Sequence, residues 1–213
     1  MKTKIAIPCM DMVHTAFVQS LMRMDMKPLG QAHIQFHTGS LIYDSRNLLS
    51  LMALKEGYDY IFWLDSDMIV SPEIAKKFME TMQWTGADLV SGVYFKRRKG
   101  GEPVLYSRID PPAMGSNGEP VSQIDTAPYV QNEVFPIAGC GFGAVLMKTS
   151  LFKSIMDMNL GMPFTPLPWA SEDISFCYRA RKAGGKMVAD SRVRIGHIGQ
   201  YVFTADDYIK QGD

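Results

Sequence analysis

The run Tyr60-Ile61-Phe62-Trp63-Leu64 ends abruptly in Asp65-Ser66-Asp67, two carboxylates one residue apart. Apolar residues without polar alternation, closed by turn chemistry, predict a strand buried on both faces. In extended backbone, residues i and i+2 project the same way, so both carboxylates can converge on one cation. Hard divalent ions take oxygen ligands and complete their shell with substrate phosphates. An Asp-x-Asp at the carboxyl end of a buried strand therefore reads as a metal–diphosphate site. The same tripeptide also fits a solvated turn ahead of a helix opened by Ser71-Pro72-Glu73. Arg46 stands at an expected helix start, where the dipole disfavours a cation and an anionic ligand would compensate. Glu172-Asp173 is a second acidic pair, which also fits an ordinary acidic first turn after Ser171. His197, in Gly196-His197-Ile198-Gly199, reads equally as a metal ligand and as a turn residue. The four histidines and three cysteines show no zinc-type spacing.

Elements that could position these groups follow from periodicity and punctuation. Strands are expected at Lys4–Ile7, Ala32–His37, residues 60–65 and Asp88–Tyr94. Helices are expected near Thr15–Met24, after Arg46-Asn47 up to Gly57, and from Ser71 as N-cap with Pro72 at the first helical position. Strands alternating with helices at this interval imply a mostly parallel sheet flanked by helices, an α/β class. Ligands in such sheets bind beyond the carboxyl ends of the strands, where Asp65 and Asp67 lie. From Gly100 to Glu133 the pattern dissolves into Gly, Pro, Ser and Asn, with short extended pieces at Val104–Ser107 and Tyr129–Gln131. A long irregular segment inside a compact domain is more often functional than idle. Gly139–Gly143 then leads into a strand at Ala144–Met147 and a helix from about Thr149. Ser171 caps a helix carrying Ile174, Cys177, Tyr178 and Arg181 on one face, and two short strands follow at Lys186–Ala189 and Arg192–Ile195.

The 213 residues suit one domain, with residues 1–99 as a nucleotide-binding half and 100–213 as an acceptor and catalytic half. Net charge is zero, so the balance gives no sign of a nucleic-acid partner. The basic cluster Lys96-Arg97-Arg98-Lys99 fits a solvated loop and could also face phosphates. Three widely spaced cysteines argue for a reducing compartment. The amino terminus lacks the apolar core of a signal peptide, and no run is long enough to span a bilayer. The expectation is a soluble, cytoplasmic protein; nothing in the sequence sets its oligomeric state.

Taken in order, these motifs resemble the nucleotide-sugar-dependent glycosyltransferases of the GT-A (Rossmann-like) fold, in particular the inverting Asp-x-Asp family. The matching features are an early strand ending in Ile7-Pro8, Arg46-Asn47 before the metal strand, and Asp65-Ser66-Asp67. The Gly139–Gly143 strand entry, Glu172-Asp173 at a helix start and His197 beyond complete the set, covering roughly Lys4 to His197. The resemblance implies that Pro8 lines a nucleobase pocket, with Asp44, Arg46 and Asn47 near base, ribose or diphosphate. It implies that Asp67 binds Mn2+ or Mg2+ directly, that Asp65 and Ser66 contact the ribose or reach the ion through water, and that His197 is a late metal ligand. Asp173 stands at the position of the catalytic base, with Glu172 as its partner. Tyr94 and Lys96 could touch diphosphate or acceptor, and Gly141 lets the backbone approach the sugar.

The chemistry agrees with the motifs. Breaking a sugar–diphosphate bond puts charge on the leaving phosphate, which a divalent cation neutralises. The attacking hydroxyl must lose its proton to a nearby carboxylate. Those two tasks need two separated carboxylate sets, which Asp65/Asp67 and Glu172/Asp173 provide. The expected activity is transfer of a sugar from a nucleoside diphosphate, uridine by preference, to a hydroxyl acceptor of unknown identity, with inversion; retention stays open, because stereochemistry follows the placement of groups around the anomeric carbon rather than motif spelling. A nucleotidyltransferase on a related sheet is an alternative, against which Pro8-Cys9-Met10-Asp11 stands where a Gly-rich phosphate loop belongs. A binding module without catalysis is another, which three costly clustered carboxylates argue against.

Overall fold

The computed structural model describes residues 1–199 and 202–206. Its spine is a sheet in the order β12-β11-β5-β10-β3-β1-β2. The strands are β1 (Lys2–Cys9), β2 (Gln31–Thr38), β3 (Tyr60–Leu64), β5 (Leu89–Val93), β10 (Ala144–Lys148), β11 (Met187–Ile198) and β12 (Val202–Phe203). Two short strands, β4 (Met68–Val70) and β8 (Val134–Pro136), also pair with β11. Strands β2, β1 and β3 run parallel, as do β5 and β11. Between them β10 is antiparallel to both neighbours. The sheet is thus mixed rather than mostly parallel. A parallel strand needs a crossover that carries the chain back to the sheet's other end. After β5 no helix does so. The chain stays at the carboxyl end of the strands and re-enters through Gly141–Gly143, so β10 must run backwards.

Gly100–Glu133, expected to be irregular, instead builds a hairpin of β6 (Leu105–Met114) and β7 (Pro120–Thr126), and β6 also pairs with β9 (Gly139–Cys140). Its Gly, Pro and Asn residues sit at the tip and at register shifts, which hid the strands from a search for alternation. Tyr129–Gln131 is not a strand. The two strands expected at Lys186–Ala189 and Arg192–Ile195 are one, β11, with an irregularity between Asp190 and Arg194.

Helices cover both faces. On one, α2 (Ile42–Lys55), α4 (Thr149–Asp157) and α5 (Glu172–Lys182) close a core around Trp63, Phe142, Phe164 and Phe176. On the other, α1 (Thr15–Arg23) and α3 (Ile74–Thr85) pack over Ile5, Phe62, Phe78 and Val90. Glu73, not Ser71, precedes the first turn of α3, because Ser71 and Pro72 form a turn whose Ser71 carbonyl accepts from Ile74 N–H. Helix α2 begins at Ile42, four residues before Arg46, so Arg46 lies in its second turn, beyond reach of the dipole argument. No helix among the described residues is long and apolar enough to cross a membrane, and the three cysteines are free.

Candidate functional site

The carboxyl ends of β1, β3 and β5 open on the same side, and the backbone N–H of Asp65 donates to the Gly143 carbonyl at 2.9 Å, tying the acidic turn to the entry of β10. Asp65-Ser66-Asp67 is not extended. Met68 N–H closes it as a turn by donating to the Asp65 carbonyl at 3.1 Å, and both aspartates line one cleft. Each meets a different set of partners.

Asp65 meets Arg46. Both Asp65 oxygens accept from Arg46 Nη2, at 2.9 and 3.2 Å. The guanidinium is buried, lying over the rings of Trp63 and Phe142 with its carbon 5.5 and 5.4 Å from their centroids. Its Nε stands 3.8 Å from Glu172 Oε1, and neither Nε nor Nη1 has a hydrogen-bond partner. Arg46 therefore bridges the two acidic sets that the sequence separates by more than a hundred residues. Burial pushes the Asp65 carboxyl up to about 6, with nearby Asp67 adding to the rise and Arg46 opposing it. Glu172 is likewise raised by burial and by Asp173, against the pull of Arg46. Burial works against the charge on Arg46, but Asp65, Glu172 and Asp173 outweigh it and raise its pKa.

Asp67 meets His197 and Arg97. His197 sits on β11 opposite Met68, and its ring stands edge-on to Tyr94 with centroids 5.3 Å apart. His197 Nδ1 lies 2.8 Å from the Phe95 carbonyl, an acceptor only, so Nδ1 carries the proton and Nε2 faces Asp67 Oδ2 at 3.4 Å. Arg97 Nη1 approaches the same oxygen at 3.1 Å. Although burial opposes it, these partners hold the Asp67 carboxyl below the usual range.

Asp173, in the first turn of α5, accepts through Oδ1 from the Ser171 hydroxyl and from Ile174 N–H. Its charge adds to burial in raising the hydroxyls of Tyr94 and Tyr106, the latter to about 12. Asp173 thus stands within electrostatic reach of Arg46, Tyr94 and Tyr106.

A cleft of about 270 Å³ opens beside the turn, lined by Pro8, Cys9 and Met10 at the end of β1, by Gly39 and Ser45, and by Asp65, Ser66 and Asp67. Other expected ligands do not line this cleft. Asn47 is buried and clasps the loop before α5, accepting from Phe164 N–H at 2.9 Å. Asp44 is exposed on the outside of α2. Lys96 pairs with Glu102 at 3.3 Å. Tyr94 is buried, and its hydroxyl accepts from Gly143 N–H at 3.2 Å. Gly141 is required by that packing, since a Cβ there would stand 2.1 Å from the Tyr94 hydroxyl. The sequence marks Arg97 only as one of a basic run that fits a solvated loop or could face phosphates, and sequence patterns read the aromatic bed of Trp63 and Phe142 only as core.

Among the described residues no three His, Cys, Asp or Glu side chains gather as a metal-binding group. Two do fit such a role by their chemistry. A metal-bound histidine usually has its other ring nitrogen anchored on a backbone carbonyl or carboxylate. Here Nδ1 is so anchored on Phe95, and Nε2 and a carboxylate oxygen face one another across 3.4 Å, two donor atoms that one cation could take. Asp65, committed to Arg46, does not fit as a direct ligand.

No protein-family model matches the sequence, and a comparison with curated proteins gives no match. Solved structures do match. A197 from STIV is similar over 97% of this chain and 92% of its own, with a TM-score of 0.67 and 20% identity. GalNAc-T7 in complex with UDP, GalNAc and Mn2+ is similar over 99% of this chain and 47% of its own, at 0.61 and 12%. S. aureus TarS residues 1–349 are similar over 90% and 58%, at 0.55 and 14%. The chain spans about half the length of these last two. Likeness at such identity concerns architecture alone: the chain has a glycosyltransferase-like fold, a mixed α/β sheet between helical layers.

Proposed function

We propose that this chain is a metal-dependent glycosyltransferase that moves a sugar from a nucleoside diphosphate, uridine-linked by preference, to a hydroxyl acceptor with inversion. The observation that carries the reading is the confrontation of His197 Nε2 with Asp67 Oδ2 at 3.4 Å, the imidazole fixed from behind by Phe95. Mn2+ or Mg2+ would be held by Asp67 and His197, and once bound would supply charge neutralisation at the leaving phosphate. Pro8 and its neighbours would receive the base in the cleft that ends at Asp65–Asp67. Arg46, locked by Asp65 and by two aromatic rings, keeps Asp65 oriented toward that cleft and draws Glu172 away from competing for the acceptor's proton.

Asp173 is assigned the base. Its Oδ1 is satisfied by Ser171 and Ile174, which fixes the carboxylate and leaves Oδ2 for the acceptor. As the acceptor oxygen bonds to the anomeric carbon, the bond to the phosphate oxygen breaks and the hydroxyl proton passes to Asp173. A positioned base of this kind contributes roughly 10²–10⁴-fold. The fold shared with a protein crystallised with UDP, GalNAc and Mn2+ supports the donor class.

A thermal-shift panel of nucleoside diphosphates with and without Mn2+ tests the reading, because a ligand that binds only the folded state raises its stability by mass action. UDP should raise the melting temperature in the presence of Mn2+, and chelator or Asp67→Ala should abolish the shift while the unliganded protein still unfolds cooperatively. Full turnover after exhaustive chelation would overturn the metal assignment.

A further inference from the structure

The Lys96-Arg97-Arg98-Lys99 run is the most basic stretch of the chain, and the reaction proposed above gives Arg97 no part. It lies in the connection from β5 to β6. A bridge between Phe95 and Pro103 closes that loop, and bonds from Lys96 N–H to the Glu102 carbonyl and from Gly101 N–H to the Arg98 carbonyl tighten it. Gly101 is needed there, since a Cβ would stand 2.2 Å from the Lys96 carbonyl oxygen. Lys96 and Arg98 turn the same way and share Glu102, at 3.3 and 2.6 Å. Those contacts, Arg98 foremost, hold the Glu102 carboxyl down at about 2. Arg97, between them, points the opposite way, with Nη1 3.1 Å from Asp67 Oδ2.

Three cationic or hydrogen-bonding groups thus surround the acidic turn, and they differ in freedom. Arg46 is buried and bonded to both oxygens of Asp65, so it cannot follow a ligand. His197 is fixed on Phe95. The Arg97 side chain is 54% exposed and rests on a short loop. Ion pairs of that kind are weak and exchange readily.

We propose that Arg97 holds Asp67 in the ion-free chain and, when a divalent ion takes Asp67, turns to the donor and binds its diphosphate. The inference rests on the metal-dependent reading above. A divalent ion on Asp67 reverses the charge that Arg97 faces, from anion to cation, and so expels it. The diphosphate that arrives with the ion is the nearest new anion, and a planar guanidinium matches phosphate oxygens two at a time. Arg97 breaks no bond and moves no proton; it neutralises Asp67 before binding and the phosphates after it.

The two states give Arg97 opposite effects on two ligands, which a structural role could not do. Mn2+ binding followed by electron paramagnetic resonance of the free ion, without and with UDP, separates them in wild type, Arg97→Ala, Arg97→Lys and a Lys99→Ala control. Removing the competing cation should tighten Mn2+ alone by about two- to five-fold, the range of an exposed ion pair. The same Arg97→Ala change should weaken UDP at saturating Mn2+ by about tenfold or more, the loss of one charge-assisted contact. Arg97→Lys should restore most of the UDP affinity, and Lys99→Ala should move neither value. Equal changes of one sign for both ligands, or no change in either, would overturn the assignment of Arg97. A wild type that binds neither Mn2+ nor UDP would remove the metal-dependent reading itself, and this inference with it.

Discussion

At the scale of single residues, the site is a chain of alternating charges in which each group is set by its neighbours. Arg46 joins Asp65 to Glu172, and Asp67 is shared by His197 and Arg97. Glu172 and Asp173 are adjacent in sequence but differ in what they touch. Glu172 turns to Arg46, whereas Asp173 is fixed by Ser171 and the helix backbone. That difference favours Asp173 as base and makes Glu172 a charge partner. Asp173→Asn keeps size and polarity and should lower turnover by about 10²-fold or more, with UDP and Mn2+ affinity retained. Glu172→Gln should cost less, because Arg46 keeps Asp65 as a partner. Parallel steady-state assays and donor titrations decide the matter: a dead Glu172→Gln beside an active Asp173→Asn would reverse the assignment.

At the scale of elements, the Gly141–Gly143 turn holds the site together. It admits β10 to the sheet, accepts the Asp65 amide through the Gly143 carbonyl, and packs on Tyr94, just beyond β5, so closely that side chains are excluded. A Cβ on Gly141 would also stand 2.8 Å from Val104 Cγ1. Gly141→Ala should therefore destabilise the fold by about 1–3 kcal/mol through overpacking. Adding Tyr94→Phe removes the hydroxyl that the new methyl meets first. In urea unfolding, the double variant should lose less than the sum of the two single changes. Strict additivity would mean that Gly141 and Tyr94 do not press on one another.

At the scale of the whole molecule, the site sits where the two halves of the mixed sheet meet, and its charges are linked to global stability. The Asp65 carboxyl, raised to about 6 mainly by burial, binds a proton more tightly when folded than when unfolded. Its sign is that of a destabilising charge. Below its ordinary value both states are protonated and nothing is lost. As pH rises toward about 6 the unfolded chain ionises first, and stability falls. Carboxyls held low, such as Asp67 and Asp190, act in the opposite direction, so the test compares slopes. Asp65→Asn should remove the downward component between about pH 4 and 6.5, giving a urea midpoint that rises more, or falls less, than that of the wild type across the window. Identical slopes would show that Asp65 does not titrate there.

Local sequence specifies the strands whose apolar runs are buried on both faces, the helices with a clear apolar stripe, and the acidic termini that follow them. Lys2–Cys9, Tyr60–Leu64 and Leu89–Val93 lie close to where their residues predicted, and Glu172 does begin a helix after Ser171. These are local matters, settled by periodicity and capping. Pairings across the chain were not legible. That β10 runs antiparallel follows from the end at which the chain re-enters the sheet. The strands of the β6–β7 hairpin are masked by turn-forming residues, and only their cross-strand bonds make them a sheet. The different partners of Asp65 and Asp67 were equally hidden. An i, i+2 spacing points side chains the same way only while the backbone stays extended, and the bond from Met68 to Asp65 folds it into a turn. Which partner each carboxylate then meets was decided by residues from distant segments: Arg46 from α2, Arg97 from the loop after β5 and His197 from β11. Tertiary structure alone brings these together, because the attraction of opposite charges depends on distance in space and carries no trace of separation along the chain.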